Sequence, residues 1–165
     1  MSISFFAYTE ESKPIERKEL TEAMAKSGWE IAYLSDWSGL TPAEGNRLQD
    51  GDILIGWQQD SDLTAKIKAI LDSGDEDALE PLGESEVLGV CSVGISDPHE
   101  DRDDFIPTDV SKDIVEQLRQ AKLCYELVTS AGRSDFSVEF QGAVWQVIGD
   151  VTDGLLEDPQ LGEYY

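Results

Sequence analysis

The chain has 165 residues and a mass of 18.2 kDa, with 35 acidic residues, 12 basic ones and a single His. Its formal net charge is −23 and its pI about 4.1. A surface this acidic repels phosphate backbones and anionic lipid, which argues against direct nucleic-acid binding and electrostatic membrane binding. A basic partner, a cation or simple solubility remain as reasons for the charge.

The length predicts one domain, residues 1–165, big enough to bury a core without disulfides or metals. An apolar content of 40%, with 4 Trp, 5 Tyr and 5 Phe, argues against disorder. Residues 1–12 have no basic n-region and no long apolar core, so no secretory signal is expected. No apolar run approaches the roughly 18 residues of a membrane span. Cys91 and Cys124 are too far apart for a CxxC motif and read as reduced, buried thiols. A cytoplasmic location is the expectation. The acid is uneven: residues 1–50 carry a net −4, 51–100 a net −10 and 101–165 a net −9.

Ile3 to Tyr8 is short, apolar and aromatic, which predicts a strand. A helix is expected from Pro14, with Ser12 as cap, an apolar face of Ile15, Leu20, Ala23 and Met24, and Gly28 at its end. Trp29 to Trp37 alternates as a second strand. A turn-rich connection follows, and Asp52 to Trp57 reads as a buried third strand. Leu63, Ile67, Ile70 and Leu71 mark one face of a helix capped by Asp60 or Ser61. Its end runs into an acidic turn at 72–80. Glu86 to Ser96 is expected as a central strand, with Gly89 and Gly94 marking a bulge or a close backbone approach.

An acidic loop follows. Val110, Ile114, Leu118 and Ala121 then predict a third helix, which either continues through Cys124 or gives way to a strand over Leu123 to Thr129, the reading favoured because Tyr125, Leu127 and Thr129 alternate with Cys124, Glu126 and Val128. Phe136, Phe140, Ala143, Val144, Val147, Ile148 and Val151 form the clearest helical stripe, with Ser134 at its start and Gly154 at its end. The tail holds a short strand with a turn at Asp158–Pro159. Four amphipathic helices among about five strands predict an α/β or α+β fold, with the helices packed on a sheet.

The loop from Asp97 to Asp104 is the densest cluster of hard oxygen ligands. A calcium loop wants Gly at its sixth position and Glu at its twelfth. Counted from Asp97 these are Arg102 and Thr108, so the pattern fails. Charge runs usually belong to solvated loops, and capture of a basic partner is the competing reading. His99 has no nucleophile beside it and reads as an exposed spectator. There is no GxGxxG, no Walker A and no GxSxG elbow. No catalytic residue, cofactor or metal is predicted. The Asp75–Glu76–Asp77 cluster opposes the macrodipole of the helix before it, which raises the chance that it serves a partner. Trp29 and Trp145 read as core. Trp37 and Trp57 stand at strand ends beside polar residues, so either could anchor an interface or be a partly buried structural aromatic.

The C-terminal quarter carries a resemblance. It holds KLCYELVTS, the helix DFSVEFQGAVWQVIGDVTDG and the tail LLEDPQLGEYY. A helix ending in Thr-Asp-Gly, then a Glu-Asp-Pro…Gly tail with terminal aromatics, is similar to the ends of several families of small acidic immunity proteins of bacterial toxin systems. The resemblance implies a cytosolic antidote that blocks one cognate toxin and catalyses nothing itself.

The expected function is therefore a non-catalytic inhibitor of a basic protein partner, such as a toxin or a nucleic-acid enzyme. The expected contact residues are Asp75, Glu76, Asp77, Asp97, Glu100, Asp101, Asp103, Asp104, Trp37 and Trp57. A DNA mimic that blocks restriction or defence enzymes is a second reading. It is weakened by Lys66, Lys68, Lys112, Arg119 and Lys122 on the helices. A carboxylate- or metal-dependent enzyme is a third, supported only by the number of acids. A high-salt habitat would also explain the charge, but the chain keeps 7 Lys against 5 Arg.

Overall fold

The computed structural model describes residues 2–101, 106–130 and 133–165, with only the backbone of Asp101. Among them are eight strands in one sheet: β1 (Ile3–Thr9), β2 (Trp29–Asp36), β3 (Thr41–Pro42), β4 (Ile53–Gln58), β5 (Gly89–Ser96), β6 (Leu123–Thr129), β7 (Leu155–Asp158) and β8 (Glu163–Tyr164). Their order is β3-β2-β4-β5-β6-β1-β7-β8, and every neighbouring pair is antiparallel. Six helices accompany them: α1 (Arg17–Lys26), α2 (Ser61–Ser73), α3 (Glu80–Glu84), α4 (Pro98–Asp101), α5 (Lys112–Gln120) and α6 (Asp135–Thr152). The architecture is α+β. The four predicted helices and six predicted strand segments, the tail's included, are all present. The added β3, β8, α3 and α4 are two to five residues long, too short for a periodic signal.

Successive side chains of a strand face opposite sides, so the sheet has two distinct surfaces. One is sealed by α1 and α6. Its core joins Ala7, Trp29, Ile31, Leu54, Cys91, Val93, Tyr125 and Leu127 of the strands to Leu20, Met24, Phe140, Val144 and Ile148 of the helices. The α6 stripe read from the sequence is the centre of this layer. Ser134 caps α6 by accepting from the Ser137 N–H at 3.2 Å. Buried Gln141 ties the helix to the sheet, donating to the carbonyls of Ile3 (2.9 Å) and Leu127 (2.6 Å). Gly89 provides the predicted close approach: a Cβ there would lie 2.7 Å from the Phe140 Cβ.

Among the described residues, the opposite surface is covered only at its flanks. On one side, α2, α3 and a 3-10 turn at Glu76–Ala78 pack over Leu34, Ile55, Trp57, Leu88 and Val90. On the other, Leu118 of α5 packs with Tyr8, Cys124 and Leu155. Cys91 and Cys124 are free and buried.

Some boundaries differ from expectation. α1 starts at Arg17, not Pro14, and has no side-chain cap, so Ser12 does not cap it. Glu16 before it is extended, and its neighbours bond outside the helix: the Ile15 N–H donates to the Tyr125 hydroxyl at 2.9 Å, and the Arg17 N–H to the Asn46 carbonyl at 2.8 Å. β5 starts at Gly89 because Glu86 turns with φ +58° and the Val87 and Leu88 N–H groups bond back to Leu82. α5 starts at Lys112, leaving Val110 outside. α6 ends on Asp153 in the left-handed region, one residue before the predicted Gly154.

Candidate partner-binding site

Between the two flanking covers, no described residue packs over the middle of the second surface. It is built on Leu88, just before β5, and on every second residue of β5 itself: Val90, Ser92, Gly94 and Ser96. Across from these stand Val128 and Glu126 of β6, then Ser4 and Phe6 of β1. Leu88 and Val90 are buried beneath the flank, whereas Ser92, Gly94, Ser96, Glu126, Val128, Ser4 and Phe6 are all half-buried. This is a groove along a strand. Its floor spans nine residues, 88–96, roughly 26 Å at the ~3.3 Å rise of a strand.

Depressions along the groove show how it is lined. The first, of about 570 Å³, lies where α3 turns into β5 and carries Glu80, Glu84 and Glu86 with Trp37 and Arg133. A smaller one, of about 170 Å³, shares Trp37, Val90 and Arg133 and continues over Ser92 and Val128. The third, of about 730 Å³, begins at the next pair, Gly94 and Glu126, and gathers Asp50, Asp97 and Glu100 beside Phe6 and Cys124. Both ends of the groove are therefore acidic. Exposed Arg133 is its one cation among the described lining residues.

Two of the carboxylates are held in place. Asp50 Oδ1 accepts from the Ile95 N–H at 2.8 Å, and Glu126 Oε1 accepts from the Ser4 hydroxyl at 3.0 Å. Neither belongs to an ion pair among the described residues. The ion pairs found there are Arg17–Asp52 at 2.8 Å, which is buried, and Arg47–Glu16 at 3.6 Å, which is exposed. The buried pair is structural: Arg17 also donates to the carbonyls of Glu44 (2.7 Å) and Gly45 (2.5 Å), pinning the loop before β4 to α1.

The predicted contact residues fall into four groups. Asp97 and Glu100 reach the groove, as does Trp37, a half-buried indole on its wall. Asp97 Oδ1 accepts from the His99 N–H at 2.9 Å at the start of α4, and His99 itself is exposed. Asp75, Glu76 and Asp77 lie on the α2 flank of the same surface. Glu76 has a structural task, since its Oε2 accepts from the Gly39 N–H at 2.5 Å. Trp57 is a core residue: it is 1% exposed, and its indole N–H donates to the Thr64 hydroxyl of α2 at 2.8 Å. It faces inward because it alternates in step with Ile53 and Ile55 beneath the α2 cover. Finally, the Asp101 side chain, Asp103 and Asp104 lie outside the described residues.

Asp50, Glu126 and Arg133 were missed from sequence, and Gly94, expected at a bulge or a close backbone approach, instead has nothing nearer than 3.6 Å to an added Cβ. They come from four separate stretches, and only the strand order unites them. No group of three or more metal-ligating side chains is found among the described residues. No described helix is long and apolar enough to cross a membrane. Scans against family models, curated proteins and solved structures give no match to the chain.

Proposed function

We propose that this protein is a non-catalytic, acidic inhibitor that neutralises a basic protein partner in the cytoplasm, with a cognate bacterial toxin as the leading class. The observation that carries the reading is the open groove over β5, acidic at both ends in a chain of net charge −23. A partner with a basic cleft or ridge would be steered by the long-range field and then held by the short-range carboxylates. Trp37 supplies a large, rigid contact on the groove wall, a residue type favoured at the energetic centre of interfaces. The resemblance of the C-terminal quarter to immunity proteins supports the same reading.

The test is affinity capture of the tagged protein from native lysate at low salt, with a salt step and mass spectrometry. One dominant basic protein is expected, with its activity suppressed in the complex. A captured set of host restriction or replication enzymes would favour the DNA-mimic reading. A set without basic proteins contradicts both. With the partner in hand, joint charge reversal of Asp101, Asp103 and Asp104 is expected to slow association and flatten its salt dependence. An unchanged rate at low salt would remove this loop from the contact.

A further inference from the structure

We infer that the groove docks a basic segment of the partner protein and seats one of its arginine side chains over Gly94, between Asp50 and Glu126. The inference rests on the inhibitor reading for the identity of the partner, and it names the anchor point of the contact. The sheet face here is unpartnered among the described residues, although helices cover it on both sides. The floor at this point has no side chain. A Cβ on Gly94 would stand 3.6 Å from Asp50 Oδ1 and 3.9 Å from Glu126 Oε2. Two carboxylates therefore converge on one small vacant volume above the strand.

Their hydrogen bonds favour a cation as the occupant. The Ile95 N–H orients Asp50 and the Ser4 hydroxyl orients Glu126, each at one oxygen. Asp50 Oδ2 and Glu126 Oε2 have no hydrogen-bond or ion-pair partner among the described residues. Two carboxylates facing one space with no cation beside them among the described residues make a positive group the complementary occupant. Guanidinium suits the place better than ammonium. Its planar fork of five donors can serve two carboxylates at once, whereas ammonium is a compact, strongly hydrated charge. The glycine gives a flat group the clearance that any side chain would remove.

The other acidic end sets the spacing. Glu84 and Glu86 sit where the floor begins at Leu88, six residues before Gly94, or roughly 20 Å along the strand. An extended segment that places one arginine over Gly94 would bring a second cation to the Glu84–Glu86 end six residues away.

The probe is a blocked seven-residue peptide with arginine at its first and last positions and glycine and serine between. It is titrated at low salt against the 15N-labelled full-length protein. Amide shifts are expected at Gly94, Ile95 and Glu126, with a second set at Glu84 to Leu88. Replacing both arginines by neutral citrulline should abolish them, and replacing both by lysine should weaken binding several-fold. Gly94→Val keeps the net charge and fills the seat, so affinity is expected to fall at least tenfold. Glu126→Gln should fall similarly.

Gly94→Ala, whose methyl meets only ordinary contacts, is the second variant should valine disturb the strand, and it too should weaken binding. Indole resonances of Trp29 and Trp145 on the sealed face report whether each variant is folded. The inference is overturned if folded Gly94 variants bind within twofold of wild type. It is equally overturned if the shifts gather around Asp75 to Asp77 or spread evenly over the surface. Those outcomes leave the inhibitor reading standing, because capture of a basic partner tests that separately.

Discussion

A Cβ on Gly56 in β4 would lie 2.0 Å from the ring of Phe140; a Cβ on Gly94 in β5 would find nothing nearer than 3.6 Å. The two glycines belong to opposite surfaces of one sheet. On the sealed surface, backbone and aromatic ring are in direct contact, and Trp29 packs against Phe136 and Phe140 at ring distances of 5.3 Å. Glycine there serves packing. On the open surface it clears a space beside two carboxylates. The contrast teaches a division of labour: α1 and α6 build a dense core on one side, which lets the other side leave a strand uncovered.

The largest effects should follow damage to the sealed side. Phe140→Ala is expected to lower stability by about 3–5 kcal/mol, the usual cost of deleting a buried ring. Gly56→Ala, an overpacking change, should cost about 1–3 kcal/mol or more. Urea denaturation read by Trp fluorescence measures both.

The Arg17–Asp52 pair comes next. Removing one partner of a buried pair leaves the other charge uncompensated, at about 3–5 kcal/mol at the upper end. Arg17→Met should approach that figure and free the loop before β4 to proteolysis. A loss no larger than that of an exposed-residue control would show that the loop is held by other contacts.

Alkaline pH should act through the same side. Burial pushes the Cys91 thiol up to about 12 from 9.0, and the Tyr33 and Tyr125 phenols up to about 12 from 10.0. These groups are neutral in the fold and would ionise earlier when unfolded. Their contribution is therefore complete below about pH 9 and is lost as pH rises towards 12. A circular-dichroism titration should show unfolding in that window. Cys91 should also resist alkylation at pH 8 until the protein is denatured, since the thiolate is the reactive form.

The smallest effect sharpens the contrast. Gly94→Ala should leave stability within about 0.5 kcal/mol of wild type, as surface substitutions generally do. If it costs as much as Gly56→Ala, the two surfaces are not packed differently and the groove is not a free space.

The sequence was most legible in its local signals. The α6 stripe, the Ser134 cap and the Asp60 cap of α2, whose carboxylate accepts from the Leu63 N–H at 2.8 Å, are local signals written in a few residues. Alternation also marked β2 and β6, and short apolar runs marked β1, β4 and β5. The start of α1 was misplaced because Tyr125 and Asn46, both outside the helix in sequence, take up the Ile15 and Arg17 N–H groups. The groove was legible only in part. Asp97, Glu100 and Trp37 stood out by charge density or residue type. Asp50 and Glu126 did not, and Gly94 stood out only as a bulge or close-approach marker, because their meaning depends on β5 lying beside β6, and periodicity carries no strand order. Trp57 misled for a related reason: its polar neighbours in sequence say nothing of the helix that covers it.

The most direct test of the account is carboxylate footprinting of the protein alone and with its captured partner, using carbodiimide labelling and mass spectrometry. The account predicts that Asp50, Glu126, Asp97 and Glu100 lose labelling in the complex, together with Glu84 and Glu86. Exposed Glu19 and Glu22 of α1 and Glu139 and Asp150 of α6, on the sealed side, should keep theirs. Protection of the α1 and α6 carboxylates with the groove still labelled would contradict it.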